Sequence, residues 1–458
     1  LLILFPADNQ IDYADNIDFI PARILPGPPV LEPQYSWEYP RVNLYGSVLK
    51  TESGYEMFYQ CGDAVKVGYA RSDDGLNWER PLFNATDFSA HVHEIIQGND
   101  TVCVDTPPEV GEGETLTNLV AGFHMPSVMY DPDSPLPYKM FAFGEGGYHS
   151  LASERGQRFR ATGENPVIPM LAFKNEFTGK TWVSDVAPCY KDRHGYTAMI
   201  KTYEVDVEER TRRCVGRAVS EDLNSWSEVE TVWIPGPAED EIARARGFSW
   251  ADFYGLCPFP YGEGYLGMLW LFEIDREFKS GTNLGKMEVF LAYSPDGKQW
   301  RRLSDEPFIP WDLNFGEQGG MVTTASTPIF EDNEIKLYYS DSNYVHGCYE
   351  EDYTGSVVDP AWVTRCARIP KERLVGATST SGRLVLKPSA APEGRLRLNI
   401  DSRGGVAEIS ISEAGDSVAS FRVENQDESD LWLTVPFGEV LELSITLKNA
   451  TLYALELR

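Results

Sequence analysis

Ala70-Arg71-Ser72-Asp73-Asp74-Gly75-Leu76-Asn77-Trp78 reads as A-x-S-x-D-G-x-x-W, and this pattern returns three times along the chain. Ala292-Tyr293-Ser294-Pro295-Asp296-Gly297-Lys298-Gln299-Trp300 repeats it in full. Ala218-Val219-Ser220-Glu221-Asp222-Leu223-Asn224-Ser225-Trp226 lacks only the glycine, and Leu151-Ala152-Ser153-Glu154-Arg155-Gly156-Gln157-Arg158-Phe159 keeps the serine, the glycine and a closing aromatic. The serines recur about every 70 residues, too long a spacing for small solenoid repeats and suited to a four-stranded propeller blade. Asp-Gly is a tight-turn dipeptide whose glycine supplies a positive φ. The Ala-x-Ser run is therefore an outgoing strand, and the aromatic is placed to cap the apolar layer between neighbouring sheets.

Upstream of each copy lie an apolar strand, a turn and an aromatic-rich strand. Leu44-Tyr45-Gly46-Ser47-Val48 is followed by Tyr55-Glu56-Met57-Phe58-Tyr59, and Ser184-Asp185-Val186-Ala187-Pro188 by Tyr196-Thr197-Ala198-Met199-Ile200. A fifth unit, Ala325-Ser326-Thr327-Pro328-Ile329 then Ile335-Lys336-Leu337-Tyr338-Tyr339, lacks the hairpin motif. Five sheet units in series pack radially, which leaves only short edges. The predicted fold is all-β: an N-terminal strap over residues 1–34 packing on the propeller, a five-bladed β-propeller over 35–375, and an antiparallel β-sandwich over 376–458. The last region alternates in short strands such as Leu396-Arg397-Leu398-Asn399-Ile400 and Leu441-Glu442-Leu443-Ser444-Ile445, separated by polar turns.

Charge narrows the partners. Forty basic residues face 70 acidic ones, a formal charge of −30, which argues against nucleic acid because neutralising phosphates needs a basic surface. No apolar run is long enough for a membrane-spanning helix. Seven cysteines without C-x-x-C spacing argue against a zinc knuckle or a dense disulfide framework. The expected setting is secreted or periplasmic, in keeping with Asn-x-Thr sequons at Asn84, Asn99 and Asn449. With 23 Tyr and 11 Trp, the chain has rings enough to stack on sugars as well as to fill a core.

In a propeller the innermost strands line the central tunnel, so chemistry is expected where they carry polar groups. Asp185 interrupts the apolar Trp182-Val183-Ser184-Asp185-Val186-Ala187-Pro188, where a carboxylate is costly to bury without purpose; its competing role is to receive Lys201 or Arg217. Asp252 in Trp250-Ala251-Asp252-Phe253-Tyr254, Glu38 in Trp37-Glu38-Tyr39-Pro40-Arg41, and Glu317 in Phe315-Gly316-Glu317-Gln318 complete the candidate carboxyls. Glycoside hydrolysis needs two of these, one to protonate the leaving oxygen and one to attack or to activate water. Crowded like charges raise one pKa and so create the acid. The expected substrate contacts are His124, His346 and Asp341, the aromatics Trp37, Tyr45, Trp250 and Tyr254, and the cations Arg41, Lys201 and Arg246. Each has a bland alternative as a packing or ion-pairing residue. No cofactor is required by this reading, which leaves room for a structural cation in the central tunnel.

The Tyr-Gly-Ser-Val strand, the A-x-S-x-D-G-x-x-W hairpins, the Ser-Asp-Val-Ala-Pro strand and the trailing sandwich resemble the five-bladed propeller glycoside hydrolases. The invertase/levanase-like group is similar in plan, and the arabinanase/β-xylosidase-like group shares the propeller. The resemblance implies a funnel-shaped pocket at the tunnel mouth with acids from three blades. It implies exo-acting cleavage of a terminal sugar, a furanoside among the options, from an oligo- or polysaccharide. The chain departs from the first group in lacking Trp-x-Asn-Asp-Pro-Asn, Arg-Asp-Pro and Glu-Cys motifs, so only Asp185 carries over. A glycan-binding propeller without hydrolytic activity is the alternative, and a glycosyltransferase using the same pocket is a third reading.

Overall fold

Each A-x-S-x-D-G copy ends a strand at its serine: Lys66–Ser72, Gly147–Ser153, Thr211–Ser220 and Asn283–Ser294. The turn that follows is built the same way in three of them. Ser72, Ser220 and Ser294 Oγ accept the backbone N–H three residues on, at 2.9, 2.9 and 2.8 Å. The Asp carboxylate then takes two further N–H groups, as Asp296 does from Lys298 and Gln299 at 2.8 Å each. Gly75, Gly156 and Gly297 hold φ of 76°, 73° and 73°, and Leu223 adopts φ 67° where the glycine is missing. The serine and aspartate bonds thus hold a left-handed turn even with a leucine in the glycine's place.

The closing aromatic of each copy packs on the blade before it, as expected of an inter-sheet cap. Trp78 meets Tyr338 of the fifth blade edge-on at 5.9 Å, Phe159 meets Phe58 of the first at 5.9 Å, and Trp226 meets Phe141 of the second at 4.8 Å. Trp300 joins Met199 and Val215 of the third blade in one buried cluster. Four repeats of one contact thereby fix four of the five blade interfaces.

This computed structural model describes residues 1–62, 65–84, 116–311, 319–357 and 359–458. The first blade runs from the inner strand Val42–Thr51 through Gly54–Cys61 and Lys66–Ser72 to Leu119–Ala121. The second starts at His124–Tyr130, the third at Cys189–Asp192, the fourth at Trp250–Tyr261 and the fifth at Met321–Thr324. The fourth and fifth are joined edge to edge by one parallel pairing, Met287 with Met321. The ring closes through the N-terminal segment, because Pro29–Leu31 adds the outer strand to the fifth blade against Trp362–Pro370.

The rest of the N-terminal segment belongs to the second unit. Ile11–Asp15 and Asp18–Pro21 each extend a different sheet of the C-terminal sandwich, and Leu2–Leu4 pairs with Ala450–Leu457. Residues 1–34, expected as a strap on the propeller, therefore contribute strands to both units. The two sandwich sheets bury Leu396, Leu398 and Ile400 of one against Ile409, Ile411, Leu443 and Ile445 of the other. Among the described residues no disulfide joins two cysteines, and no helix is long and apolar enough to cross a membrane.

A plug of three serines joins the inner segments. Ser47, Ser127 and Ser326, from three inner segments, meet with Ser326 Oγ 3.1 Å from each of the other two hydroxyls. Ser127 Oγ also takes the Cys189 N–H of the third blade at 3.0 Å. Gly46 is required beside this plug, since a Cβ there would lie 1.9 Å from the Phe58 carbonyl oxygen. Gly46→Ala is expected to cost about 1–3 kcal/mol of stability through backbone displacement, read as a fall in the denaturant midpoint. An unchanged midpoint would contradict this account of the bulge between Asn43 and Ser47.

Candidate functional site

Around Tyr45 lies a pit walled by side chains from all five blades. Tyr45 of the first blade stacks on Trp270 of the fourth, centroids 5.5 Å apart, and meets His124 of the second edge-on at 5.5 Å. Burial, with the nearby Tyr254 phenol, pushes the Tyr45 phenol well above its ordinary range. Tyr254 meets His346, and Phe272 meets His346 again at 4.9 Å. Lys201 places its ammonium 4.8 Å from the centre of the Tyr254 ring.

Asp185 is the carboxylate of this pit. It stands just ahead of the third blade's inner strand and is ion-paired with Lys201 from the next strand of that blade. Solvent reaches 38% of the Asp185 side chain and only 4% of that of Lys201. Burial alone would push this carboxyl up, but Lys201, with His124 and Arg213, holds it below its ordinary value. Asp185 is therefore an anion at neutral pH, fit to act as a base or nucleophile and unfit to act as an acid.

His346 is tuned in the opposite sense. Its Nδ1 donates to the Asn283 carbonyl at 2.7 Å, which leaves Nε2 as the bare acceptor of a neutral ring. Burial, then the charge of Arg213, pushes its pKa down to about 4. Arg213 is fixed by Asn283 Oδ1 at 2.7 Å and by Asp252 at 3.2 Å, with its guanidinium over the Trp182 and Phe272 rings.

The other sequence candidates are engaged elsewhere. Asp252 is fully buried between Arg212 Nε, at 2.9 Å, and Arg213 Nη1, so it reaches the pit only through Arg213. Glu38 is likewise sealed: it accepts the backbone N–H of Gln34 at 2.7 Å, the Tyr59 hydroxyl and Arg80 Nε at 2.8 Å. Trp37 stacks on Tyr35 and donates to Asn118 at 2.9 Å inside the first blade. Asp341 pairs with Arg365 at 2.8 Å, and Trp250 lies under the Arg210 guanidinium. Glu317 lies outside the described residues. Tyr45, His124, Asp185, Lys201, Tyr254 and His346 do converge, with Arg41 close enough for its charge to act on the Tyr45 phenol.

Arg246 belongs to a separate cluster at the end of the helix Pro237–Ala245. It is ion-paired with Glu288 and lies 3.3 Å from Glu273, directly across from Lys286. Burial pushes Glu273 up to about 7, against the pull of Arg246 and Lys286. A carboxyl held at about 7 in the fold and near 4.5 when unfolded keeps its proton longer in the folded state. Its contribution is fully present below pH 4.5 and is lost as pH rises through about 7, a change of about 3 kcal/mol. Glu273→Gln is expected to flatten the decline of Tm between pH 5 and 8, and an unaltered slope would show that Glu273 is not the titrating group.

Arg213, Asn283 and Phe272 escaped sequence reading. The signal was present for the first: Arg212-Arg213 sets two guanidinium groups side by side within a strand whose neighbours are otherwise buried. Among the described residues, no group of three or more His, Cys, Asp or Glu is placed to hold a metal ion. A cavity of about 840 Å³ lies between Ser53, Tyr69, Arg71, Trp78 and Gln157, none of which belongs to the pit.

No family model matches the chain, and no curated protein matches it by sequence. Solved structures resemble it at low identity. A thermostable family-43 glycoside hydrolase aligns with a TM-score of 0.44 at 12% identity, over 75% of this chain and 92% of that one. A fructofuranosidase from Schwanniomyces occidentalis, complexed with fructosylnystose, aligns at 0.41 and 10%, over 93% and 96%. The catalytic domain of a family-62 α-L-arabinofuranosidase from Coprinopsis cinerea aligns at 0.41 and 11%, over 75% and 95%. The architecture itself rests on the strand pairing described above.

Proposed function

We propose that the pit takes the terminal sugar of an oligo- or polysaccharide and that Asp185 is the reacting carboxylate of a glycoside-cleaving reaction. The observation that carries this reading is one ionised, solvent-reached carboxylate, Asp185, paired with a lysine that lies over the Tyr254 ring. We take the cleavage to be exo, as expected from the sequence. Tyr254, half-buried, offers part of its ring and its hydroxyl to a sugar. Held as an anion, Asp185 activates water or attacks the anomeric carbon, while an acid protonates the leaving oxygen. Asp252 and Glu38 are bound by arginines, so of the four candidate carboxyls Glu317 is the one we assign to the acid.

A glycan-binding propeller without turnover is the second reading, favoured by Asp185 being the one candidate carboxyl that reaches the pit among the described residues. Product release from a panel of furanoside and pyranoside oligosaccharides, run beside Asp185→Asn and Glu317→Gln, separates the two. A released monosaccharide that disappears in both variants supports hydrolysis with this pair. Binding by calorimetry without any product supports the second reading.

A further inference from the structure

Arg41 stands at the head of the first blade's inner strand, at the rim of the pit. Its Nε is sealed from solvent without a hydrogen-bond partner, and its guanidinium forms no ion pair among the described residues. The contrast with its neighbours is plain. Arg212 and Arg213 are matched by Asp252, Arg246 by Glu288, Arg365 by Asp341 and Arg80 by Glu38. In a chain with 70 acidic residues against 40 basic ones, a guanidinium left without a carboxylate beside the functional pit calls for a partner from outside.

The surroundings fit that need. Arg41 is bridged to Trp362, whose ring lies 6.4 Å from that of Tyr45 and 6.3 Å from that of Tyr344, with Tyr349 a further 5.7 Å from Tyr344, which places Arg41 beside this group. Tyr349 is exposed, so the group opens to solvent. Two residues beyond Arg41, Asn43 is fully buried with neither amide atom bonded, and Arg213 Nε across the pit is also unbonded. Buried polar groups are nearly always satisfied in native proteins, so the open Nε of Arg41 is a donor in want of an acceptor.

Building on the sugar-binding reading above, we propose that the terminal sugar carries an anionic group, a carboxylate or a sulfate, and that Arg41 is its receptor. A guanidinium presents two parallel N–H donors that match such an oxyanion. Lys201 does not serve, because its charge is spent on Asp185. The overall charge of −30 opposes an anion only at long range, and at physiological ionic strength it is screened beyond about 8 Å.

Titration calorimetry with matched methyl glycosides tests the proposal: the glucuronide and galacturonide, and the 6-sulfated glucoside and galactoside, each against its neutral parent. At least one anionic member is expected to bind about tenfold or more tightly than its parent, and whether it is a uronide or a sulfate names the group. Arg41→Gln should erase that preference, and Arg41→Lys, which keeps the charge and loses the fork, should retain part of it. Equal affinity for neutral and anionic members would overturn the proposal and leave the sugar-binding reading standing, as would a preference that survives Arg41→Gln. Absence of binding by every glycoside would overturn both.

Discussion

Asp185→Asn is expected to abolish sugar release, a fall of about 10²–10⁴-fold in turnover with little change in substrate affinity. The substitution keeps the shape and removes the charge that, in the proposed reaction, attacks or activates water. It also strips Lys201 of its counter-ion, so the variant must be shown to be folded by its unfolding transition. Lys201→Met gives an independent check on the same chemistry. Burial raises the Asp185 carboxyl and the Lys201 charge is what chiefly lowers it, so removing the ammonium sends its pKa upward. The acid limb of the rate profile, which falls as pH drops through that pKa, should then move to higher pH. A Lys201→Met enzyme with reduced rate and an unmoved acid limb would mean that the lysine contacts substrate and does not tune the carboxylate.

Asp252→Ala is expected to be the most damaging of the candidate-site substitutions for stability, by about 3–5 kcal/mol. Asp252 lies between Arg212 and Arg213 with no solvent exposure. Removing one partner of a buried pair leaves the other charge uncompensated, which costs more than the pair is worth. Arg212 keeps Asp240 at 2.8 Å and Asp206 at 3.2 Å. Arg213 keeps no carboxylate, only Asn283. The loss should therefore appear first as movement of Arg213, and through it as a changed titration of His346, which Arg213 holds low. Denaturant unfolding measures the first effect and imidazole NMR the second. A variant as stable as the wild type would mean that Arg213 finds another counter-charge.

These two aspartates show what the sequence could and could not convey about the site. Asp185 and Asp252 read alike: each follows a tryptophan by two or three positions and stands at or near the start of an inner strand. One reaches the pit and the other is sealed beneath two arginines. What separates them is a register shift in the fourth blade's inner strand between Phe253 and Gly255, together with Arg212 and Arg213 arriving from the preceding blade. A bulge changes which face a side chain takes, and no local pattern announces it. Glu38 was misleading for a similar reason, since its partner Arg80 comes from beyond the first blade's third strand.

The sequence by itself determined the repeat, and the repeat determined the blades. Serine, aspartate and glycine bond within a few residues of one another, so the turn is encoded where it forms. The closing aromatic needs only an apolar wall, which every neighbouring blade supplies, so the radial packing follows from local pattern as well. The alternation of the C-terminal strands is equally local, because period-two burial needs no knowledge of the partner strand. Only the tertiary structure decided how the N-terminal 34 residues divide between the two units and which polar groups face the axis. Those outcomes depend on contacts between residues tens to hundreds of positions apart. Leu31 and Thr364, and the serines at 47, 127 and 326, become neighbours only once the ring has closed.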